Sequence, residues 1–205
     1  MEITTITIIV LTCIISFIGF SNPIVINKLI LWPALMKEKS EYYRLVTSGL
    51  IHANWGHLIF NMLTLYFFGP VVEVIFGNSF GTGVYLLFYV LALIISDIPT
   101  LIKYRNYPNY RSLGASGAIS SVLFASIIFD PWNRIYIFFI PIGIPAFIFG
   151  LVYLGYCMYM SRQQVDGINH SAHFWGALFG IAFPIMLNPG LINQFIRQIG
   201  SGAGG

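Results

Sequence analysis

Charge is what this 205-residue chain has least of: Asp, Glu, Lys and Arg make up 8% of it, and the formal net charge is +3. Soluble domains carry roughly 25% charged residues. A water-soluble fold is therefore excluded, and the weak net charge gives no footprint for nucleic acid. Cysteine is nearly absent as well. Cys13 and Cys157 each lie in an apolar run, which argues against a disulfide framework and against a thiolate metal site. No His-Glu-x-x-His occurs, and no two aspartates share an apolar run. Those absences exclude a zinc-protease helix and a paired-aspartate mechanism within the membrane; a site made from the four histidines alone stays open, without a carboxylate. The first apolar run, "TTITIIVLTCIISFIGF", lacks a basic leader and a small-residue cleavage site. It is expected to be a retained helix rather than a removed signal.

What is present is apolar length. A membrane helix needs about 20 apolar residues to cross a ~30 Å hydrocarbon layer. The charges mark the boundaries, and six spans are expected at about 4–20, 56–76, 79–96, 113–129, 135–158 and 169–187. The runs are continuously apolar rather than alternating, which disfavours spanning strands. The fold class is thus an all-α membrane protein, a bundle of six transmembrane helices in one domain over 1–190. A polar, Gly-rich tail over 191–205 ends in "GSGAGG", which is expected to be disordered. The first connection, about 21–55, is long. It mixes Lys28, Lys37, Glu38, Lys39, Glu41 and Arg44 with Trp32, Tyr42, Tyr43 and Trp55, as a structured segment lying in the membrane interface would.

Spans two, four and six cross in the same direction, so their N-terminal ends share one side and one depth. The unusual residues gather there. Span two opens "HANWGHLIFN", with His52, His57 and Asn61; span four opens "LGASG", with Ser116; span six opens "NHSAHFWG", with His170 and His173. Ionisable groups inside a membrane are costly and mark function. His52 reads as interfacial, and His170 as a residue of the mouth or a support for the site. Two stripes of small residues, Gly117-x3-Ser121-x3-Ala125 and Ala172-x3-Gly176-x3-Gly180, would let spans four and six approach closely.

That approach permits acyl-transfer chemistry. A serine hydroxyl needs a base to take its proton; Ser116 is the candidate nucleophile and His173 the candidate base. No carboxylate lies near His173 in span six, so a dyad is expected rather than a triad. The oxyanion of the tetrahedral intermediate needs preorganised donors. His57 and Asn61, four residues apart on one helix face, and the Ser116 N–H are the candidates. Around Ser116 the Gly-x-Ser-x-Gly elbow of soluble hydrolases fails, because position 118 is Ala. A transporter is disfavoured, because no inverted repeat is visible.

In this order, the motifs "YYRLVTSGLIHANWGHLIFNM", "GASG" and "AHFWGALFG" resemble those of the rhomboid intramembrane serine proteases of the minimal six-helix type. The resemblance spans about 4–187, with Tyr43 where the family usually has Trp beside Arg44. It implies a short central fourth helix, Ser116 as nucleophile and His173 as base. It also implies an oxyanion site from His57, Asn61 and the Ser116 amide, with Gly114, at the tight turn, counted among the oxyanion-stabilising residues. His52, His170 and Trp175 would stand behind the site or meet substrate. The fifth helix, with Pro141 and Pro145, and the loop after it would form a substrate gate and cap. Substrates would be single-span membrane proteins in the lipid bilayer, with no cofactor and no metal. The alternative is a catalytically inactive relative that binds membrane clients. Position 120 is Ser where many family members place an aromatic that packs on the histidine. Phe174 or Trp175 is expected to fill that place, or the histidine to be less constrained. A bacterial inner-membrane location is expected, with the N-terminus in the cytosol and the site opening outward. That orientation puts eight of the ten Lys and Arg residues outside and only Arg134 and Arg197 inside, against the positive-inside rule.

Overall fold

The computed structural model describes residues 3–136, 141–163 and 165–202. Its long helices are α1 (Ile3–Ser21), α4 (Trp55–Phe80), α5 (Val84–Tyr104), α6 (Ser116–Phe129), α7 (Ala146–Gln163) and α8 (His170–Leu187). Four of these, α1, α4, α5 and α8, are long and apolar enough to cross a membrane. The chain is an integral membrane protein with a mostly helical bundle.

α6 is the centre. Every residue from Gly117 to Ile128 is buried, as befits a helix that is apolar all round. Its 14 residues reach about 21 Å at 1.5 Å per residue, short of a ~30 Å hydrocarbon layer. A helix of that length cannot bring both ends to the membrane faces, so Ser116 can start below the surface. Aromatic side chains of α4, α5 and α8 close the opposite end: Phe76, Phe88 and Phe183 pack with ring centroids 5.1–6.0 Å apart. The N-terminus of α1 is capped from another helix, for Thr4 and Thr5 donate backbone N–H bonds of 2.8 Å to the Glu73 carboxylate of α4. An anion there meets the free N–H groups and the positive end of the helix dipole.

The long first connection is folded, as its composition suggests. It holds α2 (Pro23–Leu29), α3 (Arg44–Thr47) and three 3₁₀ turns. Arg44 is buried and donates to the Asn27 and Ile30 carbonyls at 2.8 and 2.9 Å. Trp32 donates to Pro108 O at 2.8 Å, and Arg111 lies 3.7 Å over its ring. Arg44 and Arg111 are therefore built into this structure.

Three expectations need correction. The third span, expected at 79–96, is α5 (Val84–Tyr104), which continues through Asp97 and Pro99. The fifth helix does not begin near 135. Arg134–Tyr136 (β1) pairs antiparallel with Gly143–Pro145 (β2), and the helix starts at Ala146. Pro141 and Pro145 interrupt the apolar run, since proline removes a helical N–H and clashes with the preceding turn. Both stand before α7, at its end away from His170, and so contribute nothing to the loop at the site. The segment assigned to a polar tail is also ordered as α9 (Gly190–Ser201), an amphipathic helix. Leu191 is buried, and Trp132 donates to Gln198 O at 2.9 Å. Gly200 and Ser201 complete this helix; residues 203–205 of "GSGAGG" lie outside the described residues.

Candidate active site

Backbone contact between α6 and α8 sets the site. A Cβ added to Gly176 would collide with the Gly117 carbonyl, and one added to Gly180 with the Ser121 carbonyl. Both stripes of small residues thus face each other without side chains between them. Ser121 Oγ stitches the seam with a 2.7 Å bond to Gly176 O. One turn above, Ser116 Oγ and His173 Nε2 are 2.7 Å apart. Among the described residues this is the side-chain hydrogen bond that His173 makes, and no carboxylate joins it.

The turn before Ser116 is held open by Gly114, whose φ of +113° strains any residue with a Cβ. A Cβ there would also lie 2.5 Å from the His57 ring, so the glycine is what lets that imidazole come up beside the turn. Gly114 itself cannot serve as an oxyanion donor, contrary to its placement among the stabilising residues. Its N–H is spent on Ser48 O at 2.9 Å. The N-terminus of α6, by contrast, has no side-chain cap, leaving donors free. Asn61 is 4% exposed, and its Nδ2 has no partner among the described residues. An amide donor buried without an acceptor is uncommon; it suits a group that waits for a developing oxyanion.

His52 is not interfacial. It is 1% exposed, with Nδ1 2.9 Å from Ser16 Oγ and Nε2 accepting the Ala115 N–H at 3.5 Å. Ser16 donates to Leu50 O, so Nδ1 carries the imidazole proton. Burial, with a lesser contribution from neighbouring His57, pushes the group down to about 3. A neutral His52 therefore ties α1 to the turn that carries Ser116. His170 is likewise buried, and its Nε2 meets Asp166 Oδ2 at 2.8 Å. That bond, followed by the Ile168 N–H, holds the Asp166 carboxyl below its usual range. Asn169 caps α8 through Ala172 N–H at 3.1 Å and reaches Thr100 Oγ1 at 3.0 Å, fixing the turn from which His173 projects.

Neither Phe174 nor Trp175 covers the histidine. Trp175 is 44% exposed and makes an edge contact with Phe174. The ring over His173 is Tyr153 of α7, nearly parallel at 17° with centroids 6.5 Å apart. Its hydroxyl is 2.7 Å from Ser120 Oγ. The small residue at position 120 thus makes room for, and hydrogen-bonds, an aromatic supplied by another helix. Sequence reading missed Tyr153 because nothing local links it to His173; the unexplained serine at 120 was the only signal.

Fold and site together define a helical membrane protein with a Ser–His pair at the buried start of its central helix. A family model, the Rhomboid domain, matches residues 39–189, and the chain belongs to the rhomboid family. It is 30% identical over 152 residues to RHOMBOID-like protein 12, mitochondrial, of Arabidopsis thaliana, covering 68% of this chain and 45% of that protein. Against Rhomboid protease GluP of Bacillus subtilis it is 32% identical over 142 residues, covering 69% and 25%. Against Rhomboid protease GlpG of Haemophilus influenzae it is 25% identical over 181 residues, covering 88% and 84%. The chain spans about half the length of the plant relative, a quarter of GluP and most of GlpG.

Proposed function

We propose that this chain is an intramembrane serine endopeptidase that cuts transmembrane segments of single-span membrane proteins, with Ser116 and His173 as its catalytic residues. The observation that carries the reading is the 2.7 Å contact between Ser116 Oγ and His173 Nε2. That separation lies within the range over which a base takes a hydroxyl proton. His173 Nε2 accepts the proton as Ser116 Oγ attacks the scissile carbonyl. The negative charge on the carbonyl oxygen is met by the Ser116 N–H, Asn61 Nδ2 and the His57 imidazole. His173 then gives its proton to the leaving amine, and water, deprotonated by the same imidazole, releases the acyl fragment. With no carboxylate among the described residues on the other ring nitrogen, the ring is oriented by packing: Tyr153 above it and the α6–α8 seam beneath. The reading includes a bacterial inner-membrane location with the site opening outward.

The test is cleavage of a fluorogenic transmembrane substrate in detergent by the parent chain, Ser116→Ala and His173→Ala. Both variants are expected to fall to background, and full cleavage by either would overturn the dyad. Labelling of Ser116 by a fluorophosphonate separates this reading from that of an inactive client-binding relative, which would not be labelled.

A further inference from the structure

Cys157 of α7 and His170 and His173 of α8 each offer a ligand atom, the thiol sulfur or an imidazole nitrogen, within 4.8 Å of one another. Cys157 is fully buried, and His170 is 3% exposed. The two nitrogens of His170 have unequal surroundings. Nε2 lies 2.8 Å from Asp166 Oδ2; a carboxylate only accepts, so Nε2 carries the proton and Nδ1 presents a bare lone pair. That Nδ1 is buried and has no partner among the described residues. Buried acceptors rarely stay unsatisfied, and a carboxylate behind the opposite nitrogen is how metal-binding imidazoles are oriented. His173 has Nε2 engaged with Ser116, which leaves its Nδ1.

We propose that Cys157, His170 and His173 form an inhibitory site for a thiophilic divalent cation, Zn²⁺ above all. One thiolate and two imidazoles, with water in the fourth position, are a zinc donor set, with bonds of about 2.0–2.3 Å. Such bonds put ligand atoms about 3.3–3.8 Å apart in a tetrahedron. Closing the site therefore asks for about 1 Å of movement, within reach of side-chain torsions. The sequence argued against a thiolate site because Cys157 stands alone in an apolar run. The packing of α7 on α8 supplies the two ligands that the run lacks.

The inhibitory half rests on the protease reading. As a base, His173 keeps its proton on Nδ1 and its lone pair on Nε2. Metal at Nδ1 needs the lone pair there, so the proton moves to Nε2 and Ser116 faces a donor. Cys157 gives its thiol proton to water, and the hydrated cation exchanges water ligands for the thiolate and the two imidazole nitrogens, keeping one water. The imidazole is held in the tautomer that cannot take the serine proton, the loss a wrongly protonated catalytic histidine suffers.

The experiment uses the full chain in detergent, with Co²⁺ as spectroscopic probe and Zn²⁺ as competitor. One equivalent of Co²⁺ is expected to give a thiolate-to-cobalt charge-transfer band that Zn²⁺ abolishes. The band is expected to vanish in Cys157→Ser, and Asp166→Asn to weaken binding by about tenfold or more. Zn²⁺ inhibition, scaled to each variant's own metal-free rate, should shift to higher concentration in the same order. Absence of the band in the folded parent chain, or unchanged zinc sensitivity in Cys157→Ser, overturns the site. Cobalt binding without any proteolysis would leave the metal site standing and sink the protease reading; proteolysis without cobalt binding would do the reverse.

Discussion

α8 meets its two neighbours in opposite ways. Toward α6 it presents Gly176 and Gly180 to bare backbone, with no side chain to yield. Toward α7 it presents His170 and His173 to long side chains, Tyr156 and Tyr153, whose rings lie 5.4 and 6.5 Å away. Gly155 on α7 has nothing within 4 Å of where a Cβ would stand, and Leu151, Val152, Tyr156 and Tyr159 of that helix are exposed. A backbone-to-backbone seam has one low-energy separation, because interiors are packed too densely to adjust. A side-chain-mediated seam can change its spacing by rotamer shifts. Ser116 and His173 sit on the rigid seam, and the ring of Tyr153 comes from the adjustable one.

The comparison is broken most severely by adding one methyl to each seam. Gly176→Ala is expected to destabilise by about 1–3 kcal/mol through overpacking and to abolish most cleavage. Gly155→Ala is expected to leave the midpoint of thermal unfolding unchanged or slightly raised, as alanine favours a helix over glycine by up to about 1 kcal/mol. Equal midpoints for the two variants would refute the distinction. Asn61→Ala tests the rigid corner's chemistry without touching its packing seam. A loss of about 10²–10³ in kcat is expected, the scale of one oxyanion donor, read from initial rates with a fluorogenic transmembrane substrate. Tyr153→Phe keeps the ring and removes the bond to Ser120. A loss near fivefold is expected, the kinetic equivalent of a hydrogen bond of about 1 kcal/mol, with Tyr153→Ala worse than Tyr153→Phe. The smallest effect belongs to the outer face of α7: Leu151→Ala should stay within about 0.5 kcal/mol of the parent in detergent, measured by the same thermal unfolding.

How far the sequence could be read follows the range of the forces involved. Four of the six spans are found within a few residues of their expected limits, since apolar length and flanking charge are local quantities; the third runs on past Asp97 to Tyr104, because one carboxylate does not by itself end a helix. The fifth failed at its start because hydropathy cannot tell an apolar hairpin from an apolar helix, and Pro141 and Pro145 stand before the helix rather than within it. α9 was missed because it begins with Gly190 and ends with Gly200 and Ser201, while its order comes from Leu191 and Gln198 meeting the rest of the bundle. Ser116, His173, His57 and Asn61 were legible because three co-oriented helices start with them. The free Asn61 amide, the spent Gly114 N–H and the buried state of His52 were not, since each depends on a partner on another segment.

By itself the sequence determined that the chain lives in a membrane, that its fourth apolar segment is flanked by small residues, and that a serine and a histidine stand near the starts of two co-directed helices. Those properties follow from transfer free energy and helix periodicity, which act residue by residue. The tertiary structure decided that the two side chains meet at 2.7 Å and that the ring over the base is Tyr153. It also decided that Cys157 stands beside two imidazoles. These are separations of tens of residues in sequence, closed only when Gly117 and Gly176 allow two backbones to touch, because no local propensity encodes which distant surface a helix will bury.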